Sequence, residues 1–435
     1  MIFEATPSAR PLLGTLRVPG DKSISHRAVL FAAMASGTSR LTGVLDSADV
    51  RCSMAAVAEL GATVSIERET ADGLEVAVTG WGAQGPRRPV AVIDCGNSGT
   101  TARLLMGVLA PWPETVTLDG DASLRKRPMR RVTDPLTAMG ATFQTAGGTL
   151  PVTVIGAPLR AMRYESPVAS AQVKTAVLIA GLRARGVTTV VEPVPSRDHT
   201  ERLLPAFGAS LDRDAEAHSC SVTGPTVLSA ADVAVPADPS SAAFIIGAAL
   251  TVPGSIVTLR DVALNPTRTG FLRVLERMGA RVHTTIDRST GAEPTGAIIT
   301  EYSETLRATL VTAHEVPALI DEVPLLAVVA SAANGVTRFE GVRELRVKES
   351  DRLSAVAEGL SALGVTVRFG EDWLEVEGAS ALRGAQLSSR GDHRLAMAWA
   401  VAALRADAPV RIAEWEAVDV SYPAFARDLA ALQRP

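Results

Sequence analysis

The chain has 435 residues, of which 47% are hydrophobic and 21% are charged, so it is long enough for two or three domains with a sizeable core. Its formal net charge of −4 excludes the general basic field typical of proteins that bind nucleic acid or acidic membranes. The chain has three cysteines, Cys52, Cys95 and Cys220, an odd number that cannot all form disulfide bonds within the chain. Their spacing does not match that of zinc ligands. The first residues lack a signal-peptide pattern, and apolar runs such as Ala242–Val252 are too short to span a bilayer. We therefore predict a cytoplasmic protein without a structural zinc site.

A pattern of helix, glycine and strand recurs along the chain. In each copy an amphipathic stretch ends in a hydrophobic residue and a glycine, and residues of alternating polarity follow, which predicts a helix leading into a strand. The copies lie 68 to 85 residues apart, so we expect repeated α/β units of roughly 70 residues, with room for six. A sixth helix, predicted in Tyr422–Leu432, has no strand after it, and Gly14–Val18 is predicted to supply that strand. The glycines of the pattern are Gly61, Gly140, Gly208, Gly279 and Gly364.

Two proline-containing stretches precede strong helix starts, Val18–Gly20 and Val235–Pro239. If the chain crosses between domains at both places, one domain comprises residues 1–19 plus 237–435 and the other residues 20–236. A ligand cleft is the usual expectation between two such domains.

The first candidate site is the helix start Pro19–Arg27, where Asp21 or Ser23 can cap a helix that extends to about Gly37. Lys22, Ser23 and Arg27 then lie at the helix N-terminus, which favours binding of an anion such as phosphate. The spacing does not match a Walker A loop. An ordinary capped helix with solvated basic residues is the alternative.

Two glycine-containing segments follow. Asp94–Arg103 leads from a short strand into a helix, and its glycines let a ligand approach the backbone closely. Asp119–Arg131 is the densest basic run of the chain and precedes another helix. Each has a plain alternative, a common strand-to-helix turn for the first and a solvated charged face for the second.

Two polar helix starts come next, Ser170–Lys174, whose helix is predicted to end near Gly181, and Ser196–Arg202. In the C-terminal half, Ala318–Pro324 places Asp321 before an apolar helix, where it is either a functional carboxylate or a helix cap.

The segment Arg346–Arg352 has Lys348 and Arg352 four residues apart, so a helix beginning there would direct both side chains the same way. Glu349 lies among these cations, which favour its ionised form and suit a general base near neutral pH. Gly391–Arg394 begins the last strong helix and adds one more arginine.

Lysine is scarce, and every lysine lies in one of these segments. A lysine retained in an arginine-rich chain is expected to do what a planar guanidinium cannot, although chance is the alternative. The lysines are Lys22, Lys126, Lys174 and Lys348. Neither a metal-ligand cluster nor a dinucleotide-binding motif is found, so we expect no metal and no cofactor.

Taken in order, these segments closely resemble the enolpyruvyl transferase family and, within it, the 5-enolpyruvylshikimate-3-phosphate synthases. The resemblance extends along nearly the whole chain. It implies an α/β fold of two similar domains, each of three βαβαββ units of the inside-out α/β barrel type, with the active site in the interdomain cleft. The matching segments are Gly20–Arg27, Gly96–Arg103, Asp121–Pro128, Ser170–Lys174, Arg197–Glu201, Asn265–Gly270, Asp321–Pro324, Arg346–Arg352 and Asp392–Arg394.

The resemblance also implies a reaction without a metal or cofactor. The 5-hydroxyl of shikimate 3-phosphate attacks C2 of phosphoenolpyruvate while C3 is protonated, and the tetrahedral ketal then loses phosphate. Asp321 and Glu349 would transfer protons, assisted by Lys22. Lys22 and Lys348 would contact substrate from opposite domains, whereas Lys126 would support the loop of Arg127 and Lys174 would be structural. The implied ligands of shikimate 3-phosphate are Lys22, Ser23, Arg27, Ser170, Ala171, Gln172, Arg197, Asp321 and Lys348. Those of phosphoenolpyruvate are Lys22, Gly99, Arg127, Gln172, Arg352 and Arg394.

Some positions depart from the family pattern. Ala171 stands where many members have a second serine, and Val420 where some have a lysine that contacts phosphoenolpyruvate. Gly99 is the small residue that admits the inhibitor glyphosate in sensitive members, so we predict sensitivity.

Two alternatives remain. The sister transferase that acts on UDP-N-acetylglucosamine has a cysteine in the mobile loop, where this chain has Ser123–Arg127. A non-catalytic phosphometabolite-binding protein would need the basic residues but neither Asp321 nor Glu349. We expect small-molecule substrates as the partners, and a monomer.

Overall fold

A computed structural model describes residues 1–287, 293–379 and 381–433. The chain forms two compact units. The first unit comprises Met1–Pro19, Pro236–Ser289 and Pro294–Pro435, and the second comprises Gly20–Val235 with Thr290–Glu293.

The α-helices are α1 (Lys22–Met34), α2 (Ala48–Glu59), α3 (Gly99–Leu109), α4 (Arg130–Met139), α5 (Ala171–Gly181), α6 (His199–Leu203), α7 (Pro239–Thr251), α8 (Gly270–Arg277), α9 (Val323–Ala330), α10 (Arg352–Ala362), α11 (His393–Ala403) and α12 (Phe425–Ala431). The strands are β1 (Ile2–Ala5), β2 (Leu13–Leu16), β3 (Ser36–Val44), β4 (Thr63–Thr70), β5 (Gly73–Trp81), β6 (Ile93–Asp94), β7 (Thr115–Asp119), β8 (Thr142–Ala146), β9 (Thr149–Ile155), β10 (Arg163–Glu165), β11 (Gly186–Val191), β12 (Leu211–Asp214), β13 (Ser219–Gly224), β14 (Val233–Ala234), β15 (Ile256–Ala263), β16 (Arg281–Ile286), β17 (Thr295–Glu301), β18 (Leu310–Val311), β19 (Val336–Glu340), β20 (Val367–Phe369), β21 (Trp373–Glu377), β22 (Gln386–Ser388) and β23 (Val410–Ala413).

Within the described ranges each unit has three sheets of one topology. In the second unit the strand orders are β14-β3-β5-β4, β6-β7-β9-β8 and β10-β11-β13-β12. The first pair of each sheet is parallel and the other pairs are antiparallel, as in Ile93↔Leu118 followed by Leu118↔Val152. The first unit has the sheets β2-β15-β17-β16, β18-β19-β21-β20 and the three-stranded β22-β23-β1. The predicted α/β fold with three repeated units in each domain is therefore confirmed.

The repeated glycines end their helices as predicted. Their φ angles are all positive: 108° at Gly61, 123° at Gly140, 82° at Gly208, 81° at Gly279 and 89° at Gly364. Residues with a Cβ rarely adopt such positive angles, so glycine terminates the helical segment and directs the chain into the next strand.

The sheet of the sixth repeat corrects one prediction. Gly14–Val18 does not supply its missing strand, because Leu13–Leu16 pairs in parallel with the start of β15. Residues Ile2–Ala5 pair antiparallel with β23 instead. The N–H of Leu13 donates to the carbonyl of Leu432 over 2.7 Å, so the predicted segment only adjoins the sixth helix.

The helices at the centre of each unit are almost wholly buried. All residues of α7 and α9 are buried, as are nearly all of α3 and α11. A helix without a polar face must be surrounded by other elements, so the sheets cover these helices. The residues of α3 and α11 that are not buried, Thr100 and Arg394, lie in the first turn of each helix.

Candidate active site

In the second unit three buried helices start with side-chain caps. Asp21 accepts from the N–H of Ile24 over 2.8 Å at the start of α1. Ser98 and Ser170 do the same for α3 and α5. Helix N-termini present a positive end and N–H groups without helical partners, which favours anions.

The N-terminus of α1 holds Lys22, Ser23 and Arg27. Nζ of Lys22 lies 2.5 Å from Oδ2 of Asp49, and the Lys22 side chain is 19% exposed. Ser23 is half-buried. The Arg27 guanidinium is buried and donates through Nη1 to the carbonyl of Ser23 over 3.0 Å, and through Nε to Oγ1 of Thr200 over 2.8 Å. Arg27 therefore joins α1 to α6.

The N-terminus of α5 lies beside α1 and α3. The carbonyl of Ala171, its first residue, is 3.5 Å from Nη2 of Arg27. The amide of Gln172 is held at both ends, because Arg103 donates to its Oε1 over 2.7 Å and its Nε2 donates to Oγ1 of Thr100 over 2.9 Å. The amide orientation of Gln172 is thus set by α3.

Gly99 lies close to two arginine side chains at the start of α3. A Cβ added there would lie 3.2 Å from Nη1 of Arg127 and 3.3 Å from Nη1 of Arg103. Arg127 is buried and donates through Nη2 to Oδ1 of Asn97 over 2.9 Å, and Asn97 in turn donates to Asp121. Glycine at position 99 therefore keeps space next to two guanidinium groups.

Asp321 of the first unit is a partner of cations and not a helix cap. It lies in the 3₁₀ turn Ile320–Glu322, and Glu322 is the residue that precedes α9. Oδ1 of Asp321 accepts from Nη1 of Arg352 over 3.0 Å and is 3.4 Å from Nζ of Lys348. Of the two alternatives for Asp321, the helix cap does not hold, because α9 begins later, at Val323.

Arg352 is buried and bound by carboxylates. It donates through Nε to Oδ2 of Asp392 over 2.7 Å and through Nη2 to Oε2 of Glu349 over 2.6 Å. Burial alone would lower the pKa of Arg352, but the charges of Asp392, Glu349 and Asp321 outweigh it and raise the pKa. Helix α10 begins only at Arg352, so the prediction of one helix carrying both Lys348 and Arg352 was wrong.

Arg394 lies in the first turn of α11, where the side chain of Asp392 accepts its N–H over 2.9 Å. Its Nη1 donates to the carbonyl of Asp321 over 3.1 Å and lies 3.4 Å from Oε1 of Glu322. Lys348, Arg352 and Arg394 are thus gathered around Asp321. This arrangement suits a ligand with a carboxylate or phosphate group and leaves carboxylates nearby to accept protons.

The remaining candidate, Arg197, is half-buried in the second unit and precedes α6.

No group of three or more histidine, cysteine and acidic side chains able to hold a metal ion occurs among the described residues. In that part of the chain no helix is long and apolar enough to cross a membrane.

Several groups that hold the candidate residues had no assigned role in the sequence reasoning. Asp49 is the ion-pair partner of Lys22, and nothing in its local sequence indicated this. Arg103 lies one helical turn after Gly99, so helical spacing would have placed both on one face. Asp392 was noted only as part of a helix start, yet it binds Arg352.

Comparison with known proteins gives the family. A model of EPSP synthase (3-phosphoshikimate 1-carboxyvinyltransferase) matches residues 7–429. The chain belongs to the EPSP synthase family. It is 48% identical to the 3-phosphoshikimate 1-carboxyvinyltransferase of Limosilactobacillus fermentum, covering 98% of both chains. It is 49% identical to that of Halorhodospira halophila, covering 97% of this chain and 94% of the relative.

Solved structures agree with this assignment. The EPSP synthase of Acinetobacter baumannii superposes with a TM-score of 0.87 at 39% identity, covering 99% of this chain and 98% of that one. The enolpyruvyl transferase NikO of Streptomyces tendae has a TM-score of 0.78 at 19% identity, covering 99% of this chain and 97% of that one. The second likeness concerns the fold alone.

Proposed function

We propose that the chain transfers the enolpyruvyl group of phosphoenolpyruvate to the 5-hydroxyl of shikimate 3-phosphate and releases phosphate. The observation that supports this best is the gathering of Lys348, Arg352 and Arg394 around Asp321. Both substrates are anions, and the same place offers carboxylates for proton transfer.

Shikimate 3-phosphate is bound, in this proposal, by groups at the starts of α1 and α5. Lys22 and Ser23 lie at the first of these helix ends and Ser170 at the second, where the N-terminal dipole favours its phosphate. The further proposed ligands are Arg27, Ala171, Gln172, Arg197, Asp321 and Lys348.

Phosphoenolpyruvate is bound by arginines, whose planar guanidinium groups suit its carboxylate and phosphate. Arg352 and Arg394 belong to the first unit, and Arg127 to the second, where Gly99 keeps space beside it. Lys22 and Gln172 complete the proposed set.

The reaction is an addition followed by an elimination. The hydroxyl oxygen adds to C2 and gives its proton to a carboxylate of the site, while C3 receives a proton. The ketal then loses phosphate together with one proton of the C3 methyl group. Asp321 and Glu349 accept and return these protons, with Lys22 assisting. Both carboxylates face the Arg352 guanidinium, which favours their ionised, proton-accepting forms.

The test is phosphate release from phosphoenolpyruvate in the presence of shikimate 3-phosphate, run in parallel with UDP-N-acetylglucosamine. We expect phosphate only with shikimate 3-phosphate. Release only with the nucleotide sugar would assign the chain to the sister reaction. Tight substrate binding without turnover would support a binding protein.

We further propose that the protein acts in the cytoplasm as a monomer. Cys52, Cys95 and Cys220 are all unpaired thiols, which supports a reducing compartment. Measuring the mass in solution by light scattering tests the monomer, and a dimeric mass would contradict it.

A further inference from the structure

Lys174 is a buried cation held between two carboxylates. Its Nζ atom lies 2.7 Å from Oε2 of Glu192 and 2.7 Å from Oε1 of Glu201, and the three side chains are at most 5% exposed. We call Lys174, Glu192 and Glu201 the Lys174 cluster. The three residues belong to α5, the segment after β11, and α6.

Glu192 binds two main-chain groups in addition to Lys174. Its Oε1 accepts from the N–H of Ser170 over 3.0 Å, and its Oε2 accepts from the N–H of Ser196 over 3.2 Å. Ser170 is a proposed ligand of shikimate 3-phosphate, and Ser196 directly precedes another, Arg197. One buried carboxylate therefore connects two ligand-bearing segments.

Glu201 connects the cluster to a third segment. Its neighbour Thr200 accepts through Oγ1 from Nε of Arg27 over 2.8 Å, and this Oγ1 lies 2.6 Å from Oγ1 of Thr175, the residue after Lys174. The position of α6 against Lys174 thus also determines where Arg27 is held.

The charges of the cluster depend on one another. Burial alone would lower the pKa of Lys174, but Glu201 and Glu192 outweigh it and raise the pKa, so the ammonium stays charged. A compact ammonium with three donors can serve two carboxylates at once. Apolar residues would fill this space with less desolvation cost, so stability alone is a poor reason for the cluster.

We propose that the Lys174 cluster positions Ser170, Arg197 and Arg27 to bind shikimate 3-phosphate, without itself touching the substrate. This inference rests on the proposed function and assigns Lys174 a role that the sequence reasoning left as structural. Substitutions in the Lys174 cluster are expected to leave phosphoenolpyruvate binding nearly unchanged. The amide of Gln172 is held by Arg103 and Thr100 and not by the cluster.

The test compares Lys174→Met and Glu192→Gln with the unaltered protein. We expect the KM for shikimate 3-phosphate to rise about tenfold or more, and the KM for phosphoenolpyruvate to change by less than about threefold, because small displacements of ligand groups have large effects. Calorimetric titration with shikimate 3-phosphate alone should show the same weakening.

Val190→Ala is the matched control. Val190 is fully buried on β11, two residues before Glu192, so its truncation loosens the same region without removing a contact of the cluster. Its KM for shikimate 3-phosphate should stay within about twofold of the unaltered value.

If Lys174→Met does not fold, the uncharged variant Lys174→Met with Glu192→Gln and Glu201→Gln avoids leaving buried carboxylates without a cation. It should show the same selective rise in KM. An unchanged KM for shikimate 3-phosphate, an equal rise for both substrates, or the same rise in Val190→Ala would overturn the inference. Absence of turnover in the unaltered protein would instead reject the proposed function, and the inference with it.

Discussion

Asp392 and Arg352 form a buried ion pair, with Oδ2 of Asp392 2.7 Å from Nε of Arg352. The same carboxylate accepts the N–H of Arg394 through Oδ1 and so caps α11. One side chain thus binds the guanidinium of Arg352 and caps the helix that carries Arg394, the two arginines of the first unit proposed to bind phosphoenolpyruvate.

Replacing Asp392 by asparagine should therefore weaken phosphoenolpyruvate binding selectively. The amide keeps the shape but loses the charge opposite Arg352, and we expect the KM for phosphoenolpyruvate to rise about 10- to 100-fold in steady-state assays. Asp428→Asn is the control, since Asp428 is buried in α12 and bonded to Arg427. An equal change in both variants would contradict this role.

Asp321→Asn and Glu349→Gln should lower kcat by about 10²- to 10⁴-fold, because each removes a proposed proton acceptor and keeps the side-chain shape. Glu358→Gln alters an exposed carboxylate that pairs with Arg390, and its kcat should not change. The measurement is single-turnover phosphate release. Undiminished turnover in both site variants would show that neither carboxylate transfers a proton in the reaction.

Gly99→Ala should reduce inhibition by glyphosate more than it weakens phosphoenolpyruvate binding. The added Cβ would lie 3.2 Å from Nη1 of Arg127, so the guanidinium must move by a few tenths of an ångström. We expect the inhibition constant to rise about tenfold or more, measured against phosphoenolpyruvate. Unchanged inhibition would show that this space is not used by the inhibitor.

Lys22 and Lys126 offer a comparison between two lysines of the second unit. Lys22 is half-buried beside Asp49, whereas Lys126 is exposed. Lys22→Met should reduce kcat/KM about 100-fold or more, since a charge at the proposed site is lost. The kcat/KM of Lys126→Met should stay within about threefold of the unaltered value. Similar losses in both variants would indicate a general electrostatic effect and not a specific contact.

His26 should make the protein less stable as the pH falls. Its pKa is lowered by burial, and then by the charges of Lys22 and Arg27. The folded state therefore binds a proton less readily than the unfolded state, whose histidine has a pKa of about 6.5. The free energy of unfolding is then expected to decrease below about pH 6.5, by up to about 1.4 kcal/mol per pH unit from this group.

Denaturant titrations of the unaltered protein and His26→Asn between pH 5 and 8 measure this contribution. The amide can replace the hydrogen bond between Nδ1 of His26 and Oγ of Ser53 but does not titrate. The free energy of unfolding should change less with pH in His26→Asn than in the unaltered protein. Equal slopes would show that His26 does not contribute.

Local features of the sequence were the most predictable. The start of α1 after Asp21 and the span of α5 from Ala171 to Gly181 follow from capping residues and apolar periodicity. Local sequence left two roles open for Asp321, a functional carboxylate or a helix cap. Its side chain binds Arg352, 31 residues away along the chain, and helix propensity holds no information on that contact.

The sequence by itself determined the repeated α/β units, their glycine-terminated helices and the family. The first two depend on local sterics, and the family is recognised from short motifs that occur in order along the chain. Only the tertiary structure decided that β1 pairs with β23, that Asp49 is the partner of Lys22, and that Asp392 holds Arg352. These contacts join residues far apart in the chain. The packing of helices and sheets determines which strands pair and which charged side chains meet. No short stretch of sequence specifies these contacts.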